Sequence, residues 1–205
     1  MTPSSLPSLA TARGVPPALA ILSEIAVNAE AAAALVAARA DAVGELAGPF
    51  AEAAADLGLE GGAELEYSPR ASGSAAEICA GLGERREADL RLGRTSWGPH
   101  LDELKIGTAG RSLRRYGSQG QQRSALLALL FAERDVLLAA RQVAPLLLLD
   151  DVMSELDPGR RERLVDHLAS GGQTLITAAD EDSLPASAAG SMVAMPFAAS
   201  EAAAA

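Results

Sequence analysis

The segment LLLLDDVMSELD, from Leu146 to Asp157, constrains the chain more than any other. Four consecutive leucines leave no polar side to an extended chain, as in a strand covered on both faces, and the run ends abruptly in two aspartates. Asp157 followed by Pro158 reads as a helix N-cap with proline at the first helical position, and Gly171-Gly172 closes that helix. The next apolar segment, QTLITAA, centres a second strand on Leu175 and Ile176. Strand, helix and strand in this order predict an α/β fold with a parallel sheet and flanking helices.

In open sheets of this kind ligands bind beyond the carboxyl ends of the strands, where Asp150 and Asp151 fall. One aspartate there suits a magnesium ion, held directly or through water, while its neighbour can orient or deprotonate a water attacking a phosphate. The plainer alternative is an acid-rich lead-in to a helix. A second constellation, YGSQGQQRS, opens a long helical pattern whose apolar face is expected from Leu126, Leu127, Leu130, Val136 and Leu137. Ser118 and Gln121 have the spacing of a capping box. Gly120 withdraws a side chain where backbone N–H groups and the helix dipole favour an anion. A well-capped helix without a ligand is the alternative.

Upstream, Leu22, Ile25, Leu35, Val36, Val43, Leu46 and Phe50 recur at helical spacing, broken by Gly44 and Gly48-Pro49, which predicts two helices or one kinked helix. GLEGGAELEYSPR predicts a turn and a short strand around Leu65 and Tyr67. A helix follows over Ala75 to Leu90, and WGPHLDELKIG places Leu101, Leu104 and Ile106 near another strand. Aromatics are only 3% of residues, so the core must come from leucine, alanine and valine. With 17 basic and 27 acidic residues the net charge is -10, so any contact with DNA is local rather than a general coating. The single cysteine, Cys79, excludes an internal disulfide and a cysteine-rich metal site, in keeping with a reducing cytosol. No apolar run is long enough to predict a membrane span. The first residues, with one arginine and four prolines before Glu24, read as a disordered leader rather than a transit peptide.

GPHLDEL, YGSQGQQRS and LLLDDVMSELDPGRRERL, in this order, resemble the C-terminal part of the ABC-type ATPase head of chromosome-maintenance proteins, and among them the RecF family of bacterial DNA replication and repair proteins. GPHLDEL is similar to that family's GPHRDDL, the second segment to its signature motif, and the third to its Walker B and D-loop block. The likeness runs from about Leu35 to Asp180. It implies Asp150 as the Walker B magnesium ligand and Asp151 as the catalytic carboxylate. Ser118, Gln119, Gly120 and Gln121 would meet the γ-phosphate of a nucleotide held by a partner subunit, and Ser154, Glu155, Leu156 and Asp157 would form a D-loop across the dimer interface. ATP and Mg2+ are the implied cofactors. The implied partners are a Walker A-containing subunit joined by ATP, single- and double-stranded DNA, and recombination mediator proteins. The implied role, in the cytoplasm, is ATP-dependent DNA binding and recombinase loading at gaps, in recombinational repair and the SOS response. The expected organisation is a disordered leader over 1–17, a helical lobe remnant over 18–95, the C-terminal half of the head over 96–197 and a disordered tail over 198–205.

This sequence departs from the family pattern in three places. No strand and Gly-rich loop ending in Gly-Lys-Ser/Thr occurs within it, and the one lysine, Lys105, sits in ELKIG, which is no phosphate loop. These 205 residues are therefore not expected to complete an ATP site by themselves. Leu101 replaces the arginine of the family's GPHR. Thr177 stands in TAAD with no histidine beside it, as a γ-phosphate sensor or a plain strand residue. Two rival readings remain: a non-catalytic truncated interaction module, and the ATPase half of another ABC protein. Arg111, Arg114, Arg115 and Arg123 serve a phosphate or a solvated face, Trp97 anchors a core or interface, and His167 is expected half-buried or solvated on its helix.

Overall fold

The computed structural model describes residues 17–154, 156–169, 172–185 and 193, with side chains from residue 28 onward, Glu181 excepted. Residues 1–16 of the expected leader, the tail over 198–205, Gly171 and the D-loop residue Glu155 lie outside the described residues. The chain divides into two compact units, Met1–Val43 with Tyr67–Leu104, and Gly44–Glu66 with Lys105–Ala205. Neither coincides with the boundary expected near residue 95. The reason is α1 (Pro17–Asp56), a single 40-residue helix that continues through Gly44 and Pro49 and so belongs to both units. Its many alanines favour the helix enough to carry one internal proline, which removes a single backbone hydrogen bond.

The first unit combines the N-terminal part of α1 with α2 (Ala75–Leu92) and the turn of 3-10 helix at Pro99–Leu101. Leu101 thus precedes the strand that the sequence placed it near. Ser74 and Glu77 form a reciprocal cap at the start of α2, and Gly93 ends it in the left-handed conformation, φ 65°. Trp97 lies against Gly81, where an added Cβ would come within 2.7 Å of the indole, and Arg85 stacks over the ring at 4.8 Å. Asp102 is the polar centre of this unit. Its side chain is only 3% exposed, yet it accepts hydrogen bonds from the Tyr67 hydroxyl, the Arg70 backbone N–H at 2.7 Å and the Arg39 guanidinium at 3.0 Å. The same Arg39 nitrogen donates to the Pro99 carbonyl at 2.6 Å. Burial alone would raise the Asp102 carboxyl, but these donors outweigh it and hold it below its ordinary value.

Strands β1 (Ala63–Ser68), β2 (Glu103–Thr108) and β3 (Arg111–Ser112) form one sheet in the order β1-β2-β3. Ala109 and Gly110, both at positive φ, make the two-residue turn that pairs Thr108 with Arg111 in the antiparallel β2–β3 hairpin. A one-turn helix α3 (Leu113–Tyr116), the long α4 (Gln119–Arg141), β4 (Leu147–Asp150), α5 (Pro158–Ala169) and β5 (Thr174–Thr177) follow. β4 and β5 are parallel, as expected from the sequence, with Leu147 opposite Thr174 and Asp150 opposite Thr177.

The core of the second unit gathers Phe50 of α1, Leu57 just beyond its end, Phe131 of α4, Leu147 and Leu149 of β4, Met153, and Leu164 of α5. Each large side chain buried there contributes about 1.5–3 kcal/mol. The buried side of α4 agrees with the expected one at Leu127, with Leu130 partly buried against the same core, and departs from it at Leu126. It is Ser124, Ala125, Leu127, Ala128, Phe131, Ala132 and Arg134, while Leu126 is 62% exposed. Small residues let the neighbouring elements approach closely, so the stripe takes in three alanines as well as Leu127. β4 is likewise covered on one face only, since Leu148 is 65% and, beside it on β5, Leu175 is 60% exposed. His167 is half-buried, the deeper of the two placements expected. Its side chain is 11% exposed, stacked on Phe131 at 4.4 Å, between the Asp56 carboxylate at 3.3 Å and the buried Arg134 at 3.3 Å.

Candidate nucleotide and metal site

β4 and β5 are both four residues long, and their pairing is flush at both ends, so the last residue of each lies beside the other. Asp150 therefore meets Thr177, whose hydroxyl donates to Asp150 Oδ1. Asp151, the next residue, has φ 47°, in the left-handed region that a residue other than glycine seldom enters. This conformation turns its backbone N–H back onto Thr177, at 3.1 Å from the carbonyl oxygen and 3.2 Å from Oγ1. The Ser154 hydroxyl lies 2.9 Å from the Asp151 carbonyl oxygen and 3.1 Å from its Oδ2, closing the turn. Both carboxylates face solvent.

The residues expected to form a D-loop divide in two. Ser154 is engaged with Asp151, and Leu156 is buried at 5% exposure. Asp157 caps α5 by accepting the Arg160 N–H at 3.0 Å and pairs with the Arg160 guanidinium at 2.6 Å. The Arg160 N–H above all, helped by the Arg160 charge, holds the Asp157 carboxyl below its ordinary value against the opposing effect of burial. At the start of α4 the capping box is formed as expected, with Gln121 N–H on Ser118 Oγ at 3.2 Å and Ser118 N–H on Gln121 Oε1 at 2.9 Å. Gln122 Nε2 pins the preceding turn by donating to the Leu113 and Gly117 carbonyls, both at 3.1 Å.

One expectation here needs correcting. The space left by Gly120 is not open, because a Cβ added there would lie 2.7 Å from Nη1 of Arg160. The Asp157–Arg160 pair thus reaches across the first turn of α4, joining the end of the D-loop segment to the signature-like segment. The obstruction is the far end of a flexible side chain, which a ligand can displace.

Asp150 and Asp151 open onto a cleft of about 410 Å3 that Arg123, Leu126, Leu130 and Leu156 also line. A larger cleft, about 600 Å3, lies in the first unit between Ile78, Leu82, Arg86, Trp97 and His100, and holds neither strand-end aspartate. Magnesium is commonly held by one or two carboxylates, with waters and substrate phosphates completing its shell. The exposed pair fits that mode of binding. Among the described residues no group of three or more His, Cys, Asp or Glu gathers to cage an ion without such help. For ATP the fit is one-sided, because the capped start of α4 is present and a Gly-Lys-Ser/Thr loop is not.

No protein-family model matches the chain. The DNA replication and repair protein RecF of Anaeromyxobacter dehalogenans (strain 2CP-C) is 41% identical over 161 residues, which cover 73% of this chain and 43% of that protein. Its counterpart in Streptomyces avermitilis is 40% identical over 171 residues, 79% of this chain and 45% of that protein. A solved structure of the recombination mediator protein RecF-ATP superposes with a TM-score of 0.69 at 26% identity, over 83% of this chain and 48% of that one. The matched part of this chain is RecF-family sequence. The chain spans less than half the length of the curated RecF proteins cited here. Its α/β architecture, with a helical segment leading into a parallel strand pair, is that of the RecF structure.

Sequence reasoning missed two partners of the RecF-like site. The sequence leaves Thr177 as a sensor or a plain strand residue, although two strands of equal length each ending on a polar residue suggest the Asp150–Thr177 pair. Arg160 gave no signal, because its position over Gly120 depends on how α5 packs beside α4.

Proposed function

We propose that this chain carries the signature and Walker B side of a RecF-family ATPase head and pairs, through bound ATP, with a subunit holding the Walker A loop. The observation that carries this reading is the pair of exposed carboxylates at the flush ends of two parallel strands, in the same unit as a capped helix of signature-like sequence. In it Asp150 would hold Mg2+, which would supply positive charge to the phosphate oxygens. Asp151 would orient the attacking water, and the start of α4 at Ser118 to Gln121 would meet the γ-phosphate with the positive end of the helix dipole. Arg160, which stands over Gly120 and pairs with Asp157, would have to give way to a phosphate there, which would link the nucleotide to the Asp157 segment.

The biological role that this supports is ATP-dependent binding of single- and double-stranded DNA and, with recombination mediator proteins, recombinase loading at gaps during recombinational repair and the SOS response, in the cytoplasm. Among the described residues no helix is long and apolar enough to cross a membrane. A net charge of -10 confines the DNA contact to local basic patches such as the one around Arg111, Arg114 and Arg115.

A second reading is a non-catalytic module that lends its signature surface to a complete partner; these 205 residues hold no Gly-Lys-Ser/Thr loop of their own. Supplying the N-terminal portion of a RecF relative as a separate polypeptide decides between the two. The ATPase reading expects magnesium-dependent hydrolysis that Asp150→Ala and Asp151→Asn both abolish. Nucleotide binding without turnover in the reconstituted pair would favour the second reading.

A further inference from the structure

The hydrogen bonds around Thr177 have a fixed direction. The Asp151 backbone N–H can only donate, so at Thr177 Oγ1 it occupies a lone pair and leaves the hydroxyl proton to point elsewhere. That proton goes to Asp150 Oδ1. A hydroxyl has one proton, so Thr177 in this arrangement has none to offer a γ-phosphate. The β-branched side chain restricts χ1, which keeps the hydroxyl in place, and the flush pairing of Asp150 with Thr177 sets the distance along the strands.

We infer that Thr177 is a positioning residue for the metal site, holding one oxygen of the Asp150 carboxylate so that Oδ2 is presented to a divalent cation, and is not a γ-phosphate sensor. The inference rests on the reading of Asp150 as the magnesium ligand. It adds that the turn and the ligand form one unit, with backbone N–H, hydroxyl and carboxylate in series. The Ser154 hydroxyl lies within reach of both the Asp151 carbonyl oxygen and Oδ2, with one proton to share between them, so each aspartate has a hydroxyl beside it. Partners that orient a metal ligand in this way are rarely dispensable, and losing one typically weakens metal binding by about 10- to 100-fold.

The test uses Mn2+ as the probe, with its binding to the 205-residue chain followed by electron paramagnetic resonance at low temperature. Wild type, Thr177→Val, Thr177→Ser and Asp150→Asn are compared, and each is also melted. Valine keeps the branched shape and removes the hydroxyl, while serine keeps the hydroxyl. The expected result is Mn2+ affinity on the order of tenfold weaker in Thr177→Val, close to wild type in Thr177→Ser, with similar melting of the two variants. Unchanged affinity in Thr177→Val, or equal loss in both variants, would overturn the positioning role while leaving Asp150 as a ligand. Equal binding by wild type and Asp150→Asn would remove the metal-ligand reading itself, and the role of Thr177 with it.

Discussion

Leu148 and Leu175 stand side by side on the uncovered face of the β4–β5 pair, 65% and 60% exposed, while Leu149 on the other face is 6% exposed. Burying a leucine fully is worth about 1.5–3 kcal/mol, so each of the two retains about 1–2 kcal/mol of unrealised burial, roughly 2–4 kcal/mol for the pair. Replacing both by threonine, which suits a strand equally well, should change the stability of the chain alone by less than about 1 kcal/mol. Leu149→Ala should cost that same chain about 2–5 kcal/mol. If the part of a RecF-family protein that this chain does not span covers the exposed face, the double variant should weaken its association by tens to hundreds of fold, the equivalent of roughly 2–4 kcal/mol. Urea denaturation of the chain, alone and with the N-terminal portion of the Anaeromyxobacter relative added, measures both quantities. The reasoning fails if Leu148→Thr/Leu175→Thr destabilises the isolated chain as much as Leu149→Ala. It fails equally if the added polypeptide binds wild type and double variant alike.

Asp102 supplies a pH test. Its carboxyl is held below the ordinary 3.8 in the folded chain, so its contribution is complete above that value and disappears as pH falls through the lower folded value. Asp102→Asn should be less stable near neutrality and lose part of the acid sensitivity of wild type, as read from denaturation midpoints across that range. The purified 205-residue chain alone should show no magnesium-dependent ATPase activity, and turnover that persists through purification but vanishes in Asp150→Ala would contradict this. Ser118→Ala removes the cap of α4 and should lower stability by about 1 kcal/mol in thermal or urea melts.

The parts of this fold that could be read in advance are those written over short stretches of chain. The capping box of Ser118 and Gln121, the Asp157 cap and the strands carrying Asp150 and Thr177 depend on residues a few positions apart. The joint between Thr177 and Asp150 spans 27 positions and needs the strand register, which apolar runs alone do not specify. The Asp102 cluster draws on Arg39 and Tyr67, 63 and 35 positions away. Four leucines in a row suggested cover on both faces of β4, but composition cannot say which other element supplies it. In α4 the buried stripe runs through Ala125, Ala128 and Ala132, and hydrophobicity counting favours leucine over alanine even where close approach decides the face.

The pairing of this chain with a complete RecF-family subunit tests the central claim most directly. A tagged 205-residue chain is mixed with full-length RecF of Anaeromyxobacter dehalogenans, with and without Mg·ATP, and the mixed complex is measured by sedimentation. Gly120→Asp is the informative variant. Gly120 is the second residue of α4, where the helix dipole favours a carboxylate, and Arg160 beside it can accept the new charge, so the fold should tolerate the change while a phosphate is repelled. The account predicts a mixed complex that forms only with ATP and is lost in Gly120→Asp. Association of equal strength without nucleotide, or an ATP-dependent complex that Gly120→Asp leaves intact, would contradict it.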